Sequence, residues 1–313
     1  MPSSVKGIAA TPVTPFTPDD RIDWRTFERL VDFLIGSGAH VLAVPLHIGE
    51  SLNLSMEERK ELAECAVKTA ARRVPVIINV GLPGTGHVVE LARHAEKVGA
   101  DAVIAIAPYH WAPPRDGLLA HFAAIASAIG IKFLAYNFPR KIGVTLTHDL
   151  LLELIDRFEN FAGLKDASYD MQYFTETCRV TSAVRPEFAM FTGVEYLLPS
   201  MVVGGAGSFS ACGAIAPGLV RDLYAACAGQ SYEQAKALQY TVSHLWHILS
   251  VGYPASVKTA MELMGRPAGA PRLPIRPLSE ESTRRLRAEL GRLGILEREP
   301  QGWAPQAVTA WRQ

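Results

Sequence analysis

A (β/α)8 barrel followed by a small helical extension is the fold that the sequence predicts, and three observations predict it. Short, β-rich apolar runs recur through the first 229 residues, each followed by a stretch of helical periodicity. Eight such units fit into about 225 residues, at spacings of roughly 30, which suits an eightfold α/β barrel. The runs are continuously apolar rather than alternating, as in parallel strands buried on both faces. A doubly wound open sheet is the other arrangement that such alternation allows. Its usual dinucleotide signature is missing: Gly204-Gly205-Ala206-Gly207 comes late and lacks the Gly-x-Gly-x-x-Gly spacing.

The first run covers residues 7–14. Asp23 then precedes Trp24, Phe27, Val31 and Leu34 on one helix face, and Gly36 and Gly38 end that helix. The second run, 41–46, leads to Ser55 and Glu58, a capping-box pair, ahead of Leu62, Ala66 and Ala70. Run three, 75–80, is followed by Val88, Leu91, Ala92, Ala95 and Val98, and run four, 102–107, by Leu119, Phe122, Ala126 and Ile129. After run five, 132–136, Thr147 can cap a helix carrying Leu151, Leu154, Ile155 and Phe158. Run six, 162–165, precedes a helix over about 170–183, and run seven, 188–192, a short one over 195–201. Run eight, 202–210, is glycine-rich, and Pro217 opens the last helix of the barrel.

Residues 1–229 are thus expected to form the barrel, 230–295 a three-helix extension and 296–313 a tail. The extension comprises a helix over 231–250, with Tyr232, Ala235, Leu238, Val242 and Leu245 or Trp246 inward, a second over 254–264, and a third from Ser279. Pro267, Pro271, Pro274 and Pro277 make the intervening segment an extended linker.

Composition narrows the function. Apolar residues make up 49% of 313, enough for a sizeable core, and Lys+Arg and Asp+Glu are both 31. Zero formal charge argues against a nucleic-acid or anionic-membrane binder, which carries a basic excess. No apolar run approaches the ~18 residues of a membrane span, and residues 1–16, with Pro12 and Pro15, lack an apolar signal core. Cys65, Cys178, Cys212 and Cys227 lie too far apart for a Cys-x-x-Cys motif and read as thiols of a reducing compartment. A cytoplasmic protein is expected.

Barrel chemistry gathers where strands end at their C-terminal side. Those ends carry His47-Ile48-Gly49-Glu50-Ser51, Tyr109-His110-Trp111, Tyr136-Asn137-Phe138-Pro139, Lys165 and Thr192-Gly193. By itself Lys165, within Gly163-Leu164-Lys165-Asp166, reads as a surface lysine in a loop. At the end of a buried strand it loses hydration, which favours a neutral amine, and a neutral amine attacks carbonyls to form Schiff bases. Tyr136, at the end of the adjacent strand, can shuttle the proton. No His, Cys or carboxylate group has metal-ligand spacing, and imine chemistry needs neither metal nor cofactor, since the iminium is itself the electron sink. His87, His94, His244 and His247 read as packed or solvated side chains.

With Val13-Thr14-Pro15-Phe16, Gly49-Glu50-Ser51, the Tyr136–Pro139 motif, Gly163–Asp166 and the strand-eight glycines, the chain resembles the dihydrodipicolinate synthase / N-acetylneuraminate lyase family of class I aldolases. The resemblance spans about residues 5–295, and Arg272-Leu273-Pro274 with Pro277-Leu278-Ser279 looks like the family's linker. It implies a barrel with three C-terminal helices, a Schiff base between Lys165 and pyruvate or another 2-oxo acid, Tyr136 as proton relay, an aldehyde as second substrate, and a homodimer or homotetramer. His47, Ile48, Gly49, His110, Lys141, Gly193 and Phe209 are the positions it assigns to substrate binding.

Several of these positions depart from the family pattern. Two hydroxyl residues usually precede Gly-Glu and bind the carboxylate; here they are His47 and Ile48. Ile48 keeps a backbone N–H. His47 has two readings, a proton relay, for which its ordinary pKa near 6.5 suits it, or a ring that packs locally. His110 falls where the synthases place a second relay tyrosine from a neighbouring subunit, although a shift of one residue restores Tyr109. Lys141 replaces the arginine that grips the aldehyde's carboxylate, keeping charge but losing the bidentate fork. Pro83 and His87 stand where lysine-feedback ligands carry an amide and an acid. A lyase is therefore expected, with a synthase-type condensation, a sugar-acid aldolase or dehydratase, and a non-catalytic 2-oxo-acid binder as open alternatives. A phosphate-binding barrel lacks a basic partner for the strand-eight glycines.

Overall fold

The computed structural model describes residues 5–304. Eight parallel strands close into a barrel in sequence order: β1 (Gly7–Ala10), β2 (Val41–Val44), β3 (Val76–Asn79), β4 (Ala102–Ile106), β5 (Lys132–Asn137), β6 (Phe161–Asp166), β7 (Ala189–Thr192) and β8 (Gly207–Ser210). β1 pairs with β8 through Gly7↔Gly207 to Ala10↔Ser210, so the open-sheet alternative is excluded. That seam requires glycine: with Gly207 at φ 154°, a Cβ would stand only 1.9 Å from the Gly7 carbonyl oxygen.

Period-two alternation divides the strand residues between two cores. Ala43, Ile77, Ile104, Leu134 and Phe191 belong to the cluster that fills the barrel, whereas Leu42, Ile78, Val103, Phe133 and Leu164 pack beneath the surrounding helices. Each large apolar side chain so buried contributes about 1.5–3 kcal/mol.

The barrel helices are α1 (Trp24–Gly36), α2 (Met56–Ala70), α3 (Thr85–Lys97), α4 (Arg115–Ala128), α5 (Pro139–Ile142), α6 (His148–Arg157), α7 (Met171–Val184), α8 (Leu197–Val202) and α9 (Pro217–Ala228). Asp23 accepts from the Thr26 N–H at 3.0 Å, and Phe27, Leu30, Val31 and Leu34 form the buried face of α1. The Ser55–Glu58 capping box starts α2, its two bonds measuring 3.1 and 2.9 Å. Thr147 precedes α6 without a side-chain cap bond.

The structure is more economical in strand than the apolar runs suggest. β1 stops at Ala10 and β2 at Val44, next to Pro12 and Pro45, whose nitrogens cannot donate to a sheet ladder. Val202 ends α8 rather than opening β8, and Gly204, at φ 102°, turns the chain between them. The four-residue α5 begins on Pro139, the last residue of the Tyr136–Pro139 motif, with that proline in its first turn.

After the barrel come α10 (Tyr232–Ser250), α11 (Ala255–Leu263), α12 (Glu280–Arg292) and α13 (Ile295–Arg298). Ala235, Leu238, Val242, Leu245 and Leu249 are buried on α10; Tyr232, expected inward, is exposed at the helix start. Arg272 in the linker bonds back to Glu58 at 2.6 and 2.8 Å. The described part of the segment expected as a tail packs back on the barrel. Glu299 accepts from the Gly218 and Leu219 N–H groups at 3.0 and 2.8 Å, the first turn of α9, where a carboxylate complements orphan donors. Residues 305–313 lie outside the described residues. Among the described residues no helix is long and apolar enough to cross a membrane, and no group of three or more His, Cys, Asp or Glu side chains could hold a metal.

Candidate active site

Register brings the two key residues together. Tyr136 of β5 pairs with Lys165 of β6, and Lys165 with Phe191 of β7, so all three stand on one level. Their neighbours hold that register. Asn137, facing the other way, donates to Asp166 at 2.7 Å and accepts from the Leu146 N–H at 3.1 Å. Ser168 donates to the same carboxylate at 2.8 Å. Burial nevertheless raises the Asp166 pKa to about 6, against the bonds from Asn137 and Ser168.

Lys165 is almost fully buried at the floor of a cavity of about 570 Å³ in the C-terminal mouth of the barrel. Its Nζ lies 3.9 Å from the centroid of the Tyr136 ring and 5.1 Å from that of Phe209. Loss of water brings the amine down to about 7, with buried Glu195 pulling the other way. Half the amines are then neutral near neutral pH, where an exposed lysine keeps almost all of its protons. Tyr136 is shifted upward, chiefly by burial and then by the nearby Tyr253, Tyr169 and Asp166, so its phenol keeps its proton and can donate it.

Of the residues assigned to substrate binding, His47, Ile48, Lys141, Gly193 and Phe209 line the cavity. Gly49 and His110 do not. The Gly49 N–H donates to Leu46 and its carbonyl accepts from Thr14 at 2.6 Å, so its backbone shapes the loop. His110 is exposed at φ 80° with its ring edge-on to Trp111, and Tyr109 takes the lining position. Within one chain, then, Tyr109 lines the cavity and His110 points away from it.

His47 stacks on Phe138 at 6.1 Å and tilts against Tyr136 at 5.6 Å. Burial lowers its pKa to about 3, helped by Lys165, Arg59 and Lys141, so the ring stays neutral through the physiological range. The geometry fits the packing reading of His47. Gly193 has a steric role: a Cβ there would stand 2.5 Å from Lys165 Cε, so only glycine leaves the amine its channel.

The motif residue Glu50 is pointed away from the cavity. It forms an ion pair with Lys258 of α11 at 2.8 Å, both side chains almost wholly buried, and accepts from the Arg272 N–H at 2.8 Å. Gly-Glu thus fastens the C-terminal helices to the loop that carries His47 and Ile48.

Glu195, Tyr169, Trp246 and Tyr253 are among the lining residues that had not been singled out for the site. Glu195, fully buried, accepts from Ser210 Oγ at 3.0 Å and from the Cys212 N–H at 2.9 Å, shaping the loop after β8. Its place two residues beyond Gly193 was a readable signal. Tyr169 follows Lys165 closely in sequence and was equally within reach. Trp246 and Tyr253 carried no such signal, because they reach the mouth from α10 and the turn after it.

A buried amine with a pKa near 7, over the ring of a protonated tyrosine at the end of the fold where barrel enzymes work, is the equipment of a class I aldolase, a lyase that acts through a lysine imine. The chain belongs to the dihydrodipicolinate synthetase family, whose family model matches residues 4–293. It is 34% identical over 295 residues to the 4-hydroxy-tetrahydrodipicolinate synthase of Chlorobium limicola, covering 93% of this chain and 98% of that one. The enzyme of the same name from Methanopyrus kandleri is 33% identical over 299 residues, covering 95% and 99%. Among solved structures, a prophage protein of the dihydrodipicolinic acid synthase family from E. coli K12, in complex with pyruvate, superposes with a TM-score of 0.90 at 29% identity, covering 93% and 99%. A chloride-inhibited dihydrodipicolinate synthase from Acinetobacter baumannii, complexed with pyruvate, gives 0.88 at 31%, covering 93% and 100%.

Proposed function

We propose that Lys165 forms an imine with pyruvate or a related 2-oxo acid and that Tyr136 relays the protons. The observation that carries this reading is the buried Lys165 amine, brought down to about 7, with its Nζ 3.9 Å from the Tyr136 ring centroid. The pyruvate named with the E. coli and A. baumannii relatives supports the choice of acid.

The neutral Nζ attacks C2 of the oxo acid, forming a C–N bond while the carbonyl oxygen takes up a proton. Water then leaves and an iminium remains. The iminium withdraws electrons from C3, which loses a proton to become an enamine carbon. That carbon attacks the aldehyde carbon, the new alkoxide is protonated, and hydrolysis releases the product and the amine. Tyr136 is the group proposed to donate and recover protons at the carbinolamine and alkoxide oxygens. The Ile48 N–H is the proposed partner of the acid's carboxylate, since the Gly49 N–H is already given to Leu46. Phe209 closes the other side of the amine, and Lys141 stands at the rim.

Incubation with pyruvate followed by borohydride reduction and peptide mapping tests this directly. A mass adduct on Lys165 is expected, and its absence with every 2-oxo acid would sink the proposal.

A further inference from the structure

The cavity holds far more than a three-carbon acid, and its upper walls are chemically one-sided. Tyr109, Phe138, Tyr169, Trp246 and Tyr253 present rings to it from four different parts of the chain. Leu52, Ile142 and Val194 fill the spaces between them.

Several polar side chains of the same walls are committed, while the Tyr109 and Tyr253 hydroxyls and the His47 ring face the cavity among the apolar groups. Glu195 serves Ser210 and Cys212, and Thr11 donates to the Ser210 carbonyl at 2.9 Å. The Tyr169 hydroxyl accepts from Trp246 Nε1 at 3.3 Å, while Arg140 lies over the face of that ring at 4.8 Å. Lys165 and Tyr136 are engaged in the proposed imine chemistry. The remaining cation, Lys141, is exposed at the rim, where water competes for an anion and one flexible ammonium offers no bidentate grip.

From this lining we infer that the second substrate is an aldehyde with an aromatic body, seated among Tyr109, Phe138, Trp246 and Tyr253, rather than a carboxylate-bearing or polyhydroxylated one. The inference rests on the imine reading of Lys165. Flat rings pack on flat rings in offset or edge-on pairs, which such walls supply. A polyol entering the same space presents more hydroxyls than these walls can pair, and each one left without a partner costs about tenfold or more in binding. A carboxylate exchanges its water for an apolar wall with a single rim cation, at a comparable loss.

The test uses the wild-type protein in two stages. Borohydride trapping with pyruvate first establishes the Lys165 adduct. The pyruvate-loaded protein is then given benzaldehyde, aspartate 4-semialdehyde and glyceraldehyde separately, and the aldol products are quantified by mass spectrometry. In each product a new bond joins pyruvate C3 to the aldehyde carbon, and a proton completes the hydroxyl. We expect kcat/KM for benzaldehyde to exceed those of the other two at least about tenfold. An adduct with equal or better turnover of either polar aldehyde, or with turnover of none, overturns the inference and leaves the imine standing. No adduct with any 2-oxo acid overturns both.

Discussion

Lys165 Nζ stands over the face of the Tyr136 ring, 3.9 Å from its centroid, on adjacent strands locked in register. Because the ring shields the amine from water, the proposed nucleophile and proton relay are coupled by packing. Competitive labelling with acetic anhydride, read at Lys165 by peptide mapping, reports the neutral fraction of the amine. The labelling rate is expected to rise about tenfold from pH 6 to pH 8, with a midpoint near 7. A midpoint near 10 would show an ordinary lysine.

Replacing Tyr136 with Phe separates the two partners. The ring that covers Lys165 is kept and only the phenolic proton is lost. Turnover is expected to fall by about 10²–10⁴, while slow reduction still traps pyruvate on Lys165. In Lys165→Met no adduct forms at all. A Tyr136→Phe variant with unchanged kcat would remove the phenol from the relay.

Gly193→Ala tests the space around the amine. The new methyl would stand 2.5 Å from Lys165 Cε, so the side chain must swing aside. A misplacement of about 1 Å costs on the order of 10² in rate. The expected result is a large fall in adduct formation with an unchanged circular dichroism spectrum; normal adduct formation would show that the chain tolerates a Cβ here.

His47 gives a pH prediction with a definite sign. Its folded pKa is lowered to about 3, while the unfolded value stays near 6.5. Between those limits the unfolded chain binds the extra proton, so stability falls as pH drops from about 6.5 toward 3. His121, brought down to about 4 by burial, acts in the same direction. His47→Asn should flatten part of that acid loss in urea titrations and leave the activity profile's limb near pH 7, set by Lys165, in place. Loss of that limb in the variant would restore the proton-relay reading of His47.

The buried Glu50–Lys258 pair, 2.8 Å apart, predicts a stability effect far from the chemistry. Lys258→Met strands the Glu50 carboxylate, and breaking such a pair costs about 3–5 kcal/mol. The double variant Glu50→Gln with Lys258→Met is expected to recover part of the loss. Equal midpoints for wild type and Lys258→Met in denaturant would show that the pair adds nothing.

Much of this molecule was readable before any coordinates. Eight apolar runs announced the eight strands, because a strand covered on both faces must be apolar throughout, and the Ser55–Glu58 box announced the start of α2 because capping is local chemistry. Strand ends were less legible where proline intervened after Ala10 and Val44. Which of Tyr109 and His110 lines this chain's own cavity was not legible, because a loop has no periodicity to set which side chain turns inward, and the left-handed backbone at His110 turns that ring out.

The sequence by itself determined the barrel, the presence of a lysine and a tyrosine at neighbouring strand ends, and the motifs around them, since these follow from local periodicity and order along the chain. Only the tertiary structure decided what those motifs do. Glu50 turns outward to Lys258, Gly193 clears room for Lys165, and Trp246 and Tyr253 arrive from α10 and the turn after it, more than 80 residues beyond that lysine. The lowered pKa of Lys165 belongs to the same category. It results from burial, and burial is a property of everything that surrounds a side chain.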